Sequence, residues 1–177
     1  MEDLTNLKTY IIDSNNPEEI DDAISLESID GIEYLWVHIS YPAILFNYES
    51  DIDIEARNKS TSIYLIEEYI PMLPRNIVEK ANLRQNKISE TISCRIQLDS
   101  KGQVKNYKLI EALIKPNYEL TYNDANELLE LQPSEEKELF TLNNLLKKSY
   151  LNRKENGAIT FNSPTSKITK DNTKETS

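Results

Sequence analysis

The stretch IDSNNPEEIDDAISLESIDGIEYLWVHI, residues 12–39, carries two signals of different kinds. Its second half reads as a β-hairpin. Ala23–Glu27 and Ile32–Ile39 lie on either side of Ile29-Asp30-Gly31, and Asp-Gly is a favoured two-residue hairpin turn. Its first half crowds Asp13, Glu18, Glu19, Asp21 and Asp22 together with no Lys or Arg among them. Like charges repel, so such a segment is either a solvated loop or the seat of a cation. Charge runs are more often solvated faces. The sharper reading starts from Asp13, which ends a predicted strand over Thr9–Ile12, and from a loop able to return Glu19, Asp21 and Asp22 toward it. Magnesium takes oxygen ligands and often only one or two carboxylates, with phosphates completing its shell. Two such ions can clamp the attacking and leaving oxygens of a phosphodiester hydrolysis. Asp21 and Asp22 are adjacent and point different ways, so one can bind metal while the other orients water or a second ion. An EF-hand is excluded, because the sixth and twelfth positions from Asp13 hold Glu18 and Ile24 instead of Gly and Glu.

The bulk numbers narrow the setting. A chain of 177 residues with 38% hydrophobic content supports one domain with a real core. Twenty Lys plus Arg against thirty Asp plus Glu give a net charge of −10, which repels nucleic acid and anionic membranes unless positive charge is concentrated locally or metal is bound. Cys94 is the single cysteine, so a disulfide framework and a Cys-based zinc finger are excluded, and a reducing, cytoplasmic compartment is expected. MEDLTNLKTY has no basic region followed by an apolar run, and no stretch is long and apolar enough for a membrane span. Gly31, Gly102 and Gly157 are the only glycines, too few and too scattered for a Gly-rich phosphate loop.

Further along, Asp51–Ser60 predicts a short helix, acidic at its start and basic at its end. TSIYLIEEYIPMLPRN reads as extended and is punctuated by Pro71 and Pro74. Ser89–Asp99 and Val104–Lys115 form a second predicted hairpin around Asp99-Ser100-Lys101-Gly102. Leu120–Leu131 has helical spacing with Thr121 placed to cap it. Ser134 is a further capping candidate ahead of a helix over Glu135–Lys154, which Gly157 terminates. AITF, 158–161, is a small strand candidate, and from Ser163 onward the polar composition predicts disorder. His38, the only histidine, sits between Val37 and Ile39 and reads as a packed, hydrogen-bonded side chain. The order is β-rich first and helical later, which predicts an α+β fold with a mixed β-sheet, flanking helices and helix toward the C-terminus.

IDSNNPEEIDDAIS resembles the opening of the RNB catalytic domain of the ribonuclease II and ribonuclease R exoribonuclease family, where I-D is followed by an acidic loop ending D-x-D-D-A. WVHI, 36–39, resembles its V-H-I-A-D strand. IEARNKSTSIYLIEEYIPMLP, 54–74, resembles its E-A-R…G-T-S-x-Y-L…I-P-M-L-P block. ISCRIQLDSKGQVKNYKLIEALIK, 92–115, LTYNDANELL, 120–129, and NGAITFNSPTSKI, 156–168, resemble its later segments in the same order. The resemblance implies a partial RNB domain, the amino-terminal part over 1–162 with a polar tail over 163–177. It implies magnesium held by Asp13, Glu19, Asp21 and Asp22, with Asp13 and Asp22 the most direct ligands and Asp21 and Asp22 in catalytic roles. Glu19 stands where the family most often has Asp. Tyr64 corresponds to the tyrosine that packs on the terminal base of RNA.

The implied reaction is hydrolysis of single-stranded RNA from its 3′ end, releasing nucleoside 5′-monophosphates. The implied partners are a complementary carboxy-terminal RNB half and OB and S1 RNA-binding domains, and the chain alone is expected to be inactive. Tyr41 replaces the acid of V-H-I-A-D, and the stretch after Pro74 departs from the family. These departures keep open a non-catalytic interaction module, or one subunit of a split enzyme. An unrelated acidic metal-binding domain is the third alternative.

Overall fold

The computed structural model describes residues 1–65 and 68–161. The expected polar tail over 163–177 lies outside the described residues.

The hairpin that the Asp-Gly turn predicts is the centre of the sheet. β3 (Asp22–Ile29) and β4 (Ile32–Ser40) pair antiparallel from Asp22 opposite Ile39 to Ile29 opposite Ile32. Asp30 and Gly31 both take positive φ, 51° and 76°, the geometry that a two-residue turn needs to match strand twist. The second hairpin forms as β7 (Ser89–Leu98) and β8 (Val104–Ile114), and β4 pairs with β7. At its turn Asp99 Oδ1 accepts from the backbone N–H groups of Lys101 and Gln103, both at 2.9 Å. β2 (Thr9–Asp13) adds antiparallel to β3, and the two-residue β1 (Glu2–Asp3) adds parallel to β8. β9 (Tyr118–Thr121) lies parallel to β2, with Thr121 opposite Asp13. The seven strands run in the order β1-β8-β7-β4-β3-β2-β9.

Alternation of side chains gives each sheet face its own core. One face buries Leu4, Ile11, Ile20, Ala23, Trp36, Leu83, Ala112 and Ile114. The other packs Tyr10, Leu35 and their neighbours against Leu139 and Leu142 of α4 (Lys137–Glu155) and Leu128 of α3 (Tyr122–Leu131). Thr121 caps α3 as expected: its Oγ1 accepts from Asp124 N at 3.1 Å, and Asp124 Oδ2 accepts from Thr121 N at 2.9 Å. The start of α4 is fixed by Glu136, 7% exposed, which accepts from the hydroxyls of Tyr10 at 2.5 Å and Tyr118 at 2.6 Å. That pair of bonds binds the helix to the β2 and β9 strands.

α1 (Asp51–Lys59) is the predicted short helix, capped by Ser50 and carrying the expected charge pattern. Four expectations need correction. The segment after Pro74 is not extended: α2 (Arg75–Ala81) starts directly after that proline, which suits the first turn of a helix because no donor is lost there. Leu120 and Thr121 belong to β9, because pairing with β2 outweighs helical spacing at the margin. Residues 158–161 form no strand, and Ala158 N instead donates to Arg153 O at 3.0 Å, winding back over the end of α4. Ser134 bonds the Glu135 side chain instead of capping α4, which is preceded by a 3-10 turn over Ser134–Glu136.

His38 is the packed histidine that its strand position predicts. It is fully buried, with Nε2 at 2.8 Å from Ser25 Oγ and Nδ1 at 2.8 Å from Ser93 Oγ. Burial pushes its pKa down to about 4. An unfolded chain protonates this imidazole near 6.5 while the folded chain resists, so its contribution is intact above 6.5 and lost as pH falls toward 4. The loss is about 3 kcal/mol over that window. Urea titrations of the parent and of His38→Gln at pH 7 and pH 4.5 check this. The parent should lose more stability between the two pH values than the variant.

Candidate active site

The acidic loop is not a free surface loop. Ile20, 1% exposed, plugs its middle into the core. Ile20 N donates to Asn82 Oδ1 at 3.1 Å, and Leu83 N donates to Ile20 O at 2.9 Å. Asn82 Nδ2 also donates to Glu18 O at 3.4 Å. At the loop's exit Ser40 N donates to Asp21 O at 2.7 Å, which carries the β3–β4 pairing up to the acids. One apolar side chain among five acids therefore sets the loop's path, and the carboxylates are displayed around it.

Asp13, at the end of β2, is half-buried, and Asp21 and Asp22 are exposed at the start of β3. The Asp22 carboxyl is held above the usual carboxylate range, first because the adjoining protein strips part of its water, then because the charges of Asp21 and Asp13 reach it. Those three acids share one electrostatic neighbourhood. Glu19 is half-buried and turned toward the chain that follows α1: its Oε1 accepts from Ser62 Oγ at 2.8 Å and from the Tyr69 hydroxyl. Tyr64 lies in a two-stranded ribbon, β5 (Ile63–Tyr64) with β6 (Tyr69–Ile70), and is exposed. Its phenol is pushed to higher pKa by partial burial, then by the charges of Glu19 and Asp21.

Asp13, Asn15, Glu19, Tyr64 and Tyr69 line one open cleft of about 550 Å³. Asp13 and Glu19 thus share this cleft with Tyr64, whereas Asp21 and Asp22 stand outside its lining and neighbour Asp13 electrostatically. The four acids do not form a closed ligand cage: among the described residues no three His, Cys, Asp or Glu side chains stand ready to grip one ion. The donor set is nonetheless all carboxylate oxygen and carries uncompensated negative charge at Asp22. That fits a hard cation bound through one or two protein ligands, the rest of its shell filled by water or phosphate. Arg75 stands beside Tyr69, its guanidinium 5.9 Å from the Tyr69 ring centroid and its Nη2 3.3 Å from Tyr69 O. Sequence reading missed Ser62 and Tyr69 as partners of the acidic loop. They lie 43 and 50 residues from Glu19, and no local pattern joins them.

The family model described as RNB domain matches residues 1–177. The chain belongs to the RNB domain family. Among curated relatives, an uncharacterized ribonuclease of Synechocystis is 39% identical over 164 residues, covering 92% of this chain and 25% of the relative. The chloroplastic/mitochondrial ribonuclease II of Arabidopsis thaliana is 37% identical over 159 residues, covering 89% of this chain and 20% of the relative. The RNB chain thus spans a quarter or less of the length of these curated relatives. Among solved structures, Mycoplasma genitalium RNase R in complex with ribose-methylated single-stranded RNA superposes with a TM-score of 0.78 at 29% identity, covering 97% of this chain and 28% of that one. The mixed sheet with helix toward the C-terminus is therefore the RNB fold. No helix among the described residues is long and apolar enough to cross a membrane.

Proposed function

We propose that this RNB chain forms the acidic part of a 3′-to-5′ exoribonuclease that hydrolyses single-stranded RNA to nucleoside 5′-monophosphates. The observation that carries the reading is the acidic neighbourhood of Asp13, Asp21 and Asp22, which adjoins, through Asp13, a cleft that Tyr64 also lines. Asp13 and Asp22 would hold magnesium most directly. Glu19 would complete the set through Oε2, since both of its hydrogen bonds fall on Oε1. Bound magnesium would neutralise charge developing on the scissile phosphate and favour ionisation of the attacking water. Asp21, exposed beside Asp22, accepts a hydrogen bond from that water and orients it in line with the departing 3′ oxygen. Tyr64 offers an exposed ring on which the terminal base stacks, a contact tolerant of base identity.

The electrostatics limit what the chain does unaided. A net charge of −10 and an acidic cleft oppose the approach of an RNA backbone. The positive wall of the channel would come from a complementary carboxy-terminal RNB half and from OB and S1 domains. A second reading, an interaction module without turnover, is favoured by one observation: Tyr41 stands where an acid is expected and enters a 3-10 turn over Pro42–Leu45.

The test uses 5′-labelled single-stranded RNA with magnesium. This chain alone is expected to leave the RNA intact. Adding a carboxy-terminal RNB half in trans is expected to give a ladder shortened from the 3′ end, which EDTA or Asp21→Asn stops. An intact RNA in the reconstituted mixture would favour the interaction module, and internal cuts would overturn the exonuclease reading.

A further inference from the structure

Glu19 has work in this fold that involves no metal. Its Oε1 receives the hydroxyls of Ser62 and Tyr69, and Ser62 Oγ in turn accepts from Met72 N at 3.0 Å. Ser62 precedes β5, Tyr69 opens β6 and Met72 follows it, so these bonds close both ends of the ribbon onto one carboxylate. Strands of two residues have little stability of their own. Within the ribbon Tyr64 pairs directly with Tyr69, and their rings stack at 5.2 Å between centroids, inclined by 29°. A physical chain therefore runs from the acidic loop through Glu19 to Tyr69 and on to Tyr64, a residue 61% exposed.

We propose that Glu19 is the positioning residue for Tyr64: its carboxylate latches the β5–β6 ribbon over the acidic loop and sets where the aromatic platform stands. The consequence for RNA rests on the exoribonuclease reading above, whereas the latch itself does not. The chemistry explains the residue type. Asp at this position has the same charge but is shorter by one carbon–carbon bond, about 1.5 Å. It falls short of two hydroxyls that Glu19 reaches. Gln has the reach and keeps an acceptor oxygen but loses the charge. A latch therefore tolerates Gln and fails with Asp, and a residue acting chiefly as a metal ligand shows the opposite order.

The experiment measures three quantities on the whole chain. They are the 19F resonance of Tyr64 in 3-fluorotyrosine-labelled protein, assigned with Tyr64→Phe; Mn²⁺ binding by electron paramagnetic resonance; and fluorescence quenching of a single-stranded RNA ending in 3′ 2-aminopurine. Glu19→Gln should leave the Tyr64 resonance in place. Glu19→Asp should move it and weaken binding of the stacked base about fivefold or more, the lower bound for one base–aromatic stack. Tyr69→Phe, which keeps the ring and removes one donor, should move the resonance in the same direction as Glu19→Asp. An unmoved Tyr64 resonance in Glu19→Asp overturns the latch. So does a loss of Mn²⁺ binding in Glu19→Gln with the resonance displaced. If the resonance moves as expected while no form of the protein, reconstituted with the carboxy-terminal RNB half, quenches the RNA probe, the latch stands and the RNA reading fails.

Discussion

Asp22→Asn is expected to abolish saturable Mn²⁺ binding to this chain while raising its thermal stability in EDTA. The two effects have one cause. Though its side chain is exposed, Asp22 is partly desolvated by neighbouring protein, and Asp21 and Asp13 add like charge beside it. Without a cation this carboxylate is an electrostatic cost, and with one it is the place where the cost turns into binding energy. The loss of affinity should exceed about a hundredfold, since even outer partners of a metal contribute ten- to a hundredfold. The pH dependence has a definite sign. A carboxyl whose folded pKa lies above its unfolded value binds its proton more readily in the folded state. Its contribution is therefore most favourable at low pH and declines as pH rises through the carboxylate range. Asn removes that decline, so the metal-free variant should gain on the parent at neutral pH and match it more closely below pH 4. Thermal unfolding with and without Mn²⁺ measures both halves. Undiminished Mn²⁺ binding by Asp22→Asn would mean that the acidic edge is not a metal site.

Gly102→Ala should be the most destabilising small substitution, by about 3–5 kcal/mol, or a fall in Tm of roughly 10 °C. Gly102 sits at φ +81° in the β7–β8 turn, and a Cβ there would lie 2.3 Å from the Lys148 carbonyl carbon and 2.5 Å from Ser149 N. Those are backbone atoms of α4, which cannot yield without lifting the helix from the sheet. Gly31 is the control. It also has positive φ, +76°, but nothing lies within 4 Å of its missing Cβ. Gly31→Ala should therefore cost only the conformational term, about 1–2 kcal/mol. Differential scanning calorimetry of the two variants separates backbone strain from the close approach. Equal losses would show that the β7–β8 turn does not bear on α4.

Much of this protein can be read from neighbouring residues. Asp30-Gly31 names a turn whose two residues must both take positive φ, and the β3–β4 hairpin follows. Thr121 and Asp124 stand three apart, the spacing of a reciprocal cap, and α3 starts there. The acids of the loop and the I-P-M-L-P block were legible because their order and separation are local properties of the chain. The seven-residue α2 was not legible, since it offers too few turns for periodicity to show and hides behind two prolines.

Sequence by itself determined the turns, the caps, the hairpins and the concentration of carboxylates on one short loop, because each depends on hydrogen bonds and backbone preferences within a few residues. Only the tertiary structure decided where those carboxylates stand and what they touch. β9 brings Thr121 beside Asp13 across more than a hundred residues, Ile20 plugs the loop into a core completed by Leu83, and Glu19 finds Ser62 and Tyr69 in a different ribbon. Such pairings bury surface and satisfy polar atoms contributed by distant segments, so their stability exists only once the sheet has assembled, and no window of sequence contains it.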